Sequence, residues 1–240
     1  PSAAVVMNPE EVRRVVKNAL NHTAGHNDIV TIGIKPNRPE TGYGYVETLP
    51  EANGEICAVK EFKEKPDLET AKRYLNAGNY LWNAGIFVWN VNTIVESVTK
   101  YNSQITGLMN RIAQSFGVAN EQQTIEGLFP LCEKISIDYA VMEPASRDGK
   151  VFTHPADFGW SDLGNWQSLH EKLNKDADNN ASVGNVKFFE SKNNVVHMEN
   201  AKRVVLQGLD GYIVAEDNNT ILVCKKEEEQ RIKQFSESFK

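Results

Sequence analysis

Asn8-Pro-Glu-Glu-Val-Arg-Arg-Val-Val-Lys-Asn-Ala-Leu20 and, shortly after it, Asp28-Ile-Val-Thr-Ile-Gly-Ile34 decide the fold class. Asn8 accepts a hydrogen bond at a helix start, Pro9 fits the first helical position, and Glu11 stands three residues past the cap. Val12, Val15, Val16, Ala19 and Leu20 then recur at helical spacing. Ile29 to Ile34 is a short, almost unbroken apolar run, the signature of a strand covered on both faces. A helix feeding a buried strand predicts an α/β chain with helical crossovers.

Downstream, the loop Lys35–Tyr45 holds two prolines and two glycines, too many for regular structure. Strands are predicted at Tyr45–Leu49 and Ile56–Lys63, with Asn53-Gly54 as the hairpin turn between them. Asp67 caps a helix to about Asn76 that stops at Gly78. Tyr80–Trp89 reads as a buried strand interrupted at Asn83-Ala-Gly85; two helices fill Val91–Phe116, and Asp138–Met142 makes a short one. Val151–Thr153 is a strand, and a loop from Asp157 leads into a helix ending near Leu173. A domain boundary is placed in the polar stretch Asn174–Asn180, giving parts 1–175 and 176–240. Beyond it come short strands at Val183–Phe189, Asn194–Met198, Arg203–Leu206, Tyr212–Ala215 and Thr220–Cys224, a small all-β unit of β-helix or meander type, closed by a charged helix over Lys226–Phe239.

The 240 residues suit one large domain or a domain with an appendage. A net charge of -6 argues against nonspecific nucleic-acid binding. No apolar run approaches the ~20 residues that span a bilayer, and no signal peptide is visible, so a cytoplasmic protein is expected. Cys57, Cys132 and Cys224 are odd in number and widely spaced, which predicts reduced thiols rather than a disulfide framework or a zinc site. His22, His26, His154, His170 and His197 are read as showing no metal spacing. The chain opens on Pro1 rather than Met, so a start is expected upstream.

Four polar clusters lie in apolar or glycine-rich settings. Glu40-Thr-Gly-Tyr-Gly44-Tyr45 lets a ligand approach the backbone at Gly44, or simply turns the chain into an edge strand. Glu64-Lys65-Pro66 offers a carboxylate for vicinal hydroxyls and an ammonium for a phosphate, or is a solvated charge run. Asn83 and Gly85 either serve a bulge in their own strand or face a ligand. Asp162, between Trp160-Ser161 and Leu163-Gly164, either holds Mg²⁺ together with substrate phosphates or, like Ser161, caps the following helix.

Taken in order, Pro39–Tyr45, Phe62-Lys-Glu-Lys-Pro66, Tyr80-Leu-Trp-Asn-Ala-Gly-Ile-Phe87, Ile135–Glu143 and Phe158-Gly-Trp-Ser-Asp-Leu-Gly-Asn-Trp166 resemble the mannose-1-phosphate guanylyltransferases of the sugar nucleotidyltransferase family. The resemblance implies a Rossmann-like nucleotidyltransferase fold with a left-handed β-helix-like tail. It implies the reaction of GTP with mannose 1-phosphate to give GDP-mannose and pyrophosphate, and a homodimer. By motif, Gly44, Gly85 and their neighbours line the sugar pocket, Glu64 and Asn83 bind the sugar, Lys65 contacts phosphate, and Asp162 is one of two aspartates holding Mg²⁺; Asp138 lies in a family motif without a firm role. The alternatives kept open are a different hexose 1-phosphate or base, and a non-catalytic sugar-phosphate-binding module. Two departures bear on activity. No stretch of the type G-G-x-G-x-R-L-W-P occurs, so the N-terminal nucleotide-binding part is expected to be missing, and Ala3 stands where the family's second metal-binding aspartate is expected. The 240 residues alone are therefore expected to be inactive.

Overall fold

The computed structural model describes residues 4–49, 55–162, 164–198, 203–217 and 219–238. The expected Asn53-Gly54 turn and Ala3 lie outside the described residues. The chain falls into two compact units, one from Val6 to Trp160 and one from Ser161 onward that also includes the strand Ala4–Val5.

In the first unit, five strands close on themselves. Ile29–Ile34 pairs antiparallel with Tyr80–Trp89 and parallel with Val151–Ala156. Tyr45–Thr48 lies antiparallel between Tyr80–Trp89 and Cys57–Lys63. Cys57–Lys63 completes the ring through Cys57↔Thr153 and Ala58↔Phe152. The ring leaves this five-stranded sheet no exposed edge, because the register irregularity at Glu47/Thr48 carries the start of Cys57–Lys63 onto Val151–Ala156. All six residues of Ile29–Ile34 are buried, since its two faces serve two cores. Val30, Ile32 and Ile34 pack with Val15 and Ala19 of the helix Pro9–Gly25 and with Tyr45 and Trp82, while Ile29 packs with Val46, Phe62, Met142 and Ala145. The helix starts as its sequence dictates, with the Glu11 N–H donating to Asn8 Oδ1 at 3.2 Å, and runs five residues beyond Leu20. Asp67 caps the helix Leu68–Ala77, and Gly78 ends it at φ 77°. Val91–Tyr101 and Ser103–Ala113 are joined through Asn102, which closes one helix and caps the next. The polar stretch after Asn120 is also helical, over Glu121–Leu128.

In the second unit, Ala4–Val5 pairs antiparallel with Ser161–Asp162, placing Ala4 opposite Asp162. The helix Trp166–Lys172 packs Trp166 and Leu169 against Val195 and Ile213. The β-rich part is built from parallel stacking. Ala181–Val183, Val195–His197 and Tyr212–Asp217 lie side by side in parallel register, and Asn185–Phe189 runs parallel to Arg203–Gln207. Thr220–Lys225 closes the first stack antiparallel. The predicted single strand over Val183–Phe189 is two strands split at Gly184, where φ is 107° and a Cβ would collide with the Met198 carbonyl. The C-terminal charged helix begins as a 3-10 stretch over Lys226–Arg231 and turns α-helical only over Ile232–Glu237.

Buried asparagines hold the stack together. Asn194, fully buried, donates to Asn180 Oδ1 at 2.9 Å and to the Leu209 carbonyl at 2.9 Å, and accepts from the Tyr212 N–H at 2.8 Å. Asn194→Ala strands these partners in the interior, so a loss of about 2–4 kcal/mol is expected, measured as a lower midpoint in thermal or urea unfolding. Cys57 and Cys224 are buried, Cys132 is half-buried, and no disulfide joins them. Among the described residues no helix is long and apolar enough to cross a membrane.

Candidate functional site

Three neighbouring chain segments of the first unit bring the polar clusters together. The Asn83 N–H donates to the Gly44 carbonyl at 2.8 Å, and the Lys65 N–H donates to the Tyr43 carbonyl at 3.2 Å. Gly44 lies directly beneath the Glu64 carboxylate, since a Cβ there would come within 2.5 Å of Glu64 Oε2. That close approach is why the position takes glycine. Lys65 adopts φ 46°, a left-handed conformation that costs an L-residue about 1–2 kcal/mol. Strain of this kind concentrates at functional sites.

A fourth segment supplies more carboxylates. Asp138–Met142 forms a π-helical turn leading straight into the helix Glu143–Arg147, and such turns recur at functional sites. Asn83, buried in the strand Tyr80–Trp89, ties this turn to the sheet. Its Oδ1 accepts from Thr31 Oγ1 at 2.6 Å and from the Gly85 N–H at 3.2 Å, which leaves Nδ2 to donate to Asp138 Oδ1 at 3.3 Å. Of the two roles weighed for Asn83, the one within its own strand is seen, its Oδ1 accepting the N–H of Gly85 (φ 68°), and its Nδ2 reaches the carboxylate cluster. Glu143 Oε1 accepts the Glu64 N–H at 3.2 Å and lies 3.9 Å from Lys63 Nζ. Lys65 Nζ lies 3.9 Å from Glu64 Oε1, with the Lys65 side chain mostly exposed and that of Glu64 only 10% exposed.

Crowding sets the electrostatics. Burial pushes the Glu64 carboxyl up to about 7; the Asp138 and Glu143 charges add to the rise and Lys65 opposes it. Burial also raises Asp138, helped by Glu143 and opposed by the Ser136 hydroxyl and Lys65. The Tyr139 phenol is raised by burial and by Glu64, Glu143 and Asp138. Glu64, Asp138 and Glu143 thus form a part-buried carboxylate cluster with Lys63 and Lys65 beside it. Carboxylates of this kind accept from vicinal hydroxyls, and the ammonium groups suit a phosphate.

Gly44, Glu64, Lys65 and Asn83 are therefore brought together, with Gly85 joined through Asn83. Asp162 belongs to the second unit, where Oδ1 accepts the Gly164 N–H at 2.9 Å. The plainer reading of Asp162 or Ser161 as a helix cap does not hold. Asn165 is the cap, its Oδ1 accepting from the Ser168 N–H at 2.7 Å. Glu143 and Thr31 were not singled out from sequence; Glu143 precedes Pro144, a pairing that reads as an ordinary helix start. The histidine reading is also corrected. Because the first helix runs on to Gly25, His22 and the residue following its end, His26, stand about one turn apart and close to Asp28.

The sequence profile described as Nucleotidyl transferase matches residues 3–179. The chain belongs to the nucleotidyl transferase family. The match begins at the third residue, so the family pattern is present from close to the start of the chain. The chain is 34% identical over 242 residues to the alginate biosynthesis protein AlgA of Pseudomonas syringae pv. tomato, covering 98% of this chain and 48% of that protein. It is 32% identical over 241 residues to the mannose-1-phosphate guanylyltransferase of Escherichia coli K12, covering 98% and 49%. This nucleotidyl transferase chain thus spans about half the length of these curated relatives. A solved structure from Thermus thermophilus, titled mannose-1-phosphate geranyltransferase, matches with a TM-score of 0.79 and 28% identity over 100% of this chain and 68% of that one. The α/β nucleotidyltransferase fold expected from the sequence is the fold of this neighbour.

Proposed function

We propose that the protein to which this chain belongs transfers a guanylyl group from GTP to mannose 1-phosphate, giving GDP-mannose and pyrophosphate. The observation that carries the reading is the convergence of Glu64, Asn83 and Asp138 above Gly44, with Lys65 at the rim. Glu64 and Asn83 take the sugar hydroxyls, and Lys65 neutralises the sugar phosphate. A phosphate oxygen of the sugar attacks the α-phosphorus of GTP in line; the new O–P bond forms as the bond to the β-phosphate bridge breaks, and pyrophosphate leaves. The protein's share is positioning and charge neutralisation.

Asp162 is assigned to Mg²⁺, whose bound form supplies charge neutralisation at the nucleotide phosphates. The donor chemistry suits that ion, which takes one or two carboxylates and keeps several waters; the Gly164 N–H already orients the carboxylate. In the antiparallel pair Ala4 lies opposite Asp162, and the resemblance expects the family's second metal-binding aspartate one position earlier in the sequence, where this chain has Ala3. Ala3 itself favours the second reading, a module that binds sugar phosphate without turnover. The sugar-handling residues fall within 1–175. Residues 176–240 form an appendage assigned as a left-handed β-helix that pairs two copies in a cytoplasmic homodimer; the sheet-edge strand Thr220–Lys225 exposes Ile221 and Val223, which supports the pairing.

The test is formation of GDP-mannose by the full-length protein with Mg²⁺, compared with other hexose 1-phosphates and nucleotides. Lys65→Ala is expected to lower kcat/KM for mannose 1-phosphate by about 10–100-fold, the worth of one charged hydrogen bond. Unchanged turnover would remove Lys65 from the site.

A further inference from the structure

We infer that His22, His26 and Asp28 form a binding site for a late first-row divalent cation, of which Zn²⁺ is the archetype. The site lies apart from the carboxylate cluster, at the C-terminal end of the helix Pro9–Gly25. One donor atom from each of the three residues falls within 4.8 Å of the other two. His22 Nε2 stands 3.2 Å from Asp28 Oδ2. With metal–ligand bonds of about 2.0–2.2 Å, two ligands on one tetrahedral zinc lie about 3.3–3.5 Å apart, so this pair already has nearly the length of a tetrahedral edge.

The second imidazole is prepared for the same task. His26 Nδ1 lies 2.8 Å from the His22 carbonyl. A carbonyl only accepts, so Nδ1 carries the proton and Nε2 of the neutral ring presents its lone pair. Metal-binding histidines are held in this way, with the non-ligating nitrogen donating to a carbonyl or carboxylate that fixes the tautomer. The two rings stack at 4.5 Å, with planes 18° apart, and the exposed His26 ring brings one donor atom within 4.8 Å of those of His22 and Asp28. The other two ligands are anchored. His22 packs against Phe152 at 5.2 Å, and the side chains of His22 and Asp28 are only 20% and 15% exposed. Two held ligands and one at the surface leave an entry path for the ion and a position for water. Two imidazoles and one carboxylate select zinc, cobalt or nickel over magnesium, which prefers all-oxygen ligation.

The placement gives the ion a consequence. Asp28 immediately precedes Ile29–Ile34, the strand flanked on both sides in the ring, so a bound cation clips the last turn of the helix to the start of that strand. In the metal-free state the same residues make an ordinary His22–Asp28 contact, which needs neither His26 nor any ion.

Co²⁺ titration of the untagged full-length protein, without substrates, separates the two. The expected result is saturable, stoichiometric visible absorption that Zn²⁺ displaces and millimolar Mg²⁺ does not, with a Zn²⁺-dependent rise in the unfolding temperature. His26→Ala, at an exposed position, is expected to fold normally, to keep any Mg²⁺-dependent transferase activity, and to weaken Co²⁺ binding by about 10-fold or more. Asp28→Asn is expected to weaken it as well. Absence of saturable binding, or binding and a thermal shift that survive in His26→Ala, would overturn the assignment. Since no nucleotide or sugar is present, the result stands or falls independently of the transferase reading.

Discussion

Gly44→Ala is expected to reduce kcat/KM for the sugar phosphate by about 10²-fold while leaving a folded protein. The glycine is not there for backbone freedom; a methyl group would simply arrive 2.5 Å from Glu64 Oε2, 3.3 Å from Asn83 Cβ and 3.4 Å from Phe62 Cζ. The shortest contact is to the end of a flexible side chain, so the carboxylate retreats by about 1 Å to reach an ordinary van der Waals distance. The two longer contacts need only small adjustments. The cost in stability is therefore about 1–3 kcal/mol, in the range of modest overpacking. The cost in function is larger, because the group that moves is the one assigned to the substrate. Placement errors of about 1 Å are enough to lose two orders of magnitude in rate. Steady-state kinetics beside a thermal melt decide the matter. A variant destabilised to this extent but still at full kcat/KM would show that Glu64 does not touch the sugar.

What the sequence made legible follows from how local each feature is. The Asn8 and Asp67 caps and the Gly78 stop depend on residues a few positions apart, and they stand where the sequence puts them; two helices do fill most of Val91–Phe116, but their junction at Asn102 is a finding of the structure. The helix Glu121–Leu128 was missed because its first residues are polar and Asn120 makes no side-chain cap bond to announce it. The split at Gly184 answers to the Met198 carbonyl, a constraint that exists only once the strands are stacked. The candidate site divides in the same way. Glu64, Lys65 and Asn83 stood out as polar groups in apolar or turn-rich surroundings. That Asn83 reaches Asp138, 55 residues away, or that the Glu64 N–H is held by Glu143, 79 residues away, has no local sign. The pairing of His22 with His26 was hidden for a simpler reason: the apolar stripe that marks the helix ends at Leu20, while the hydrogen-bonded helix continues to Gly25.

Glu64→Gln is expected to make the protein more stable at pH 8 and a poorer binder of sugar phosphate, two effects of one cause. The Glu64 carboxyl sits at about 7 in the folded state against 4.5 as its ordinary value. Between those values the native state holds a proton that the unfolded chain has released. Stability from this group is therefore complete below about pH 4.5 and is lost as the pH rises to about 7. With partial solvent screening allowed for, the loss is about 1–3 kcal/mol. Glutamine carries no charge at any pH, so the variant should match the parent near pH 4.5 and exceed it by roughly that amount at pH 8 in urea unfolding. Binding runs the other way. Accepting two sugar hydroxyls requires the ionised carboxylate, so affinity of the parent should rise about tenfold per unit up to about pH 7 and flatten above it. In Glu64→Gln that slope should vanish, with affinity at pH 8 lower by about 10–100-fold. A buried charge kept at a cost to the fold, beside Asp138 and Glu143 that make it costlier still, is what a binding group looks like and what a structural ion pair does not. If the variant gains stability at pH 8 yet binds sugar phosphate with the parent's affinity and pH slope, the strain belongs to the fold alone and the hydroxyl-accepting role passes to another residue.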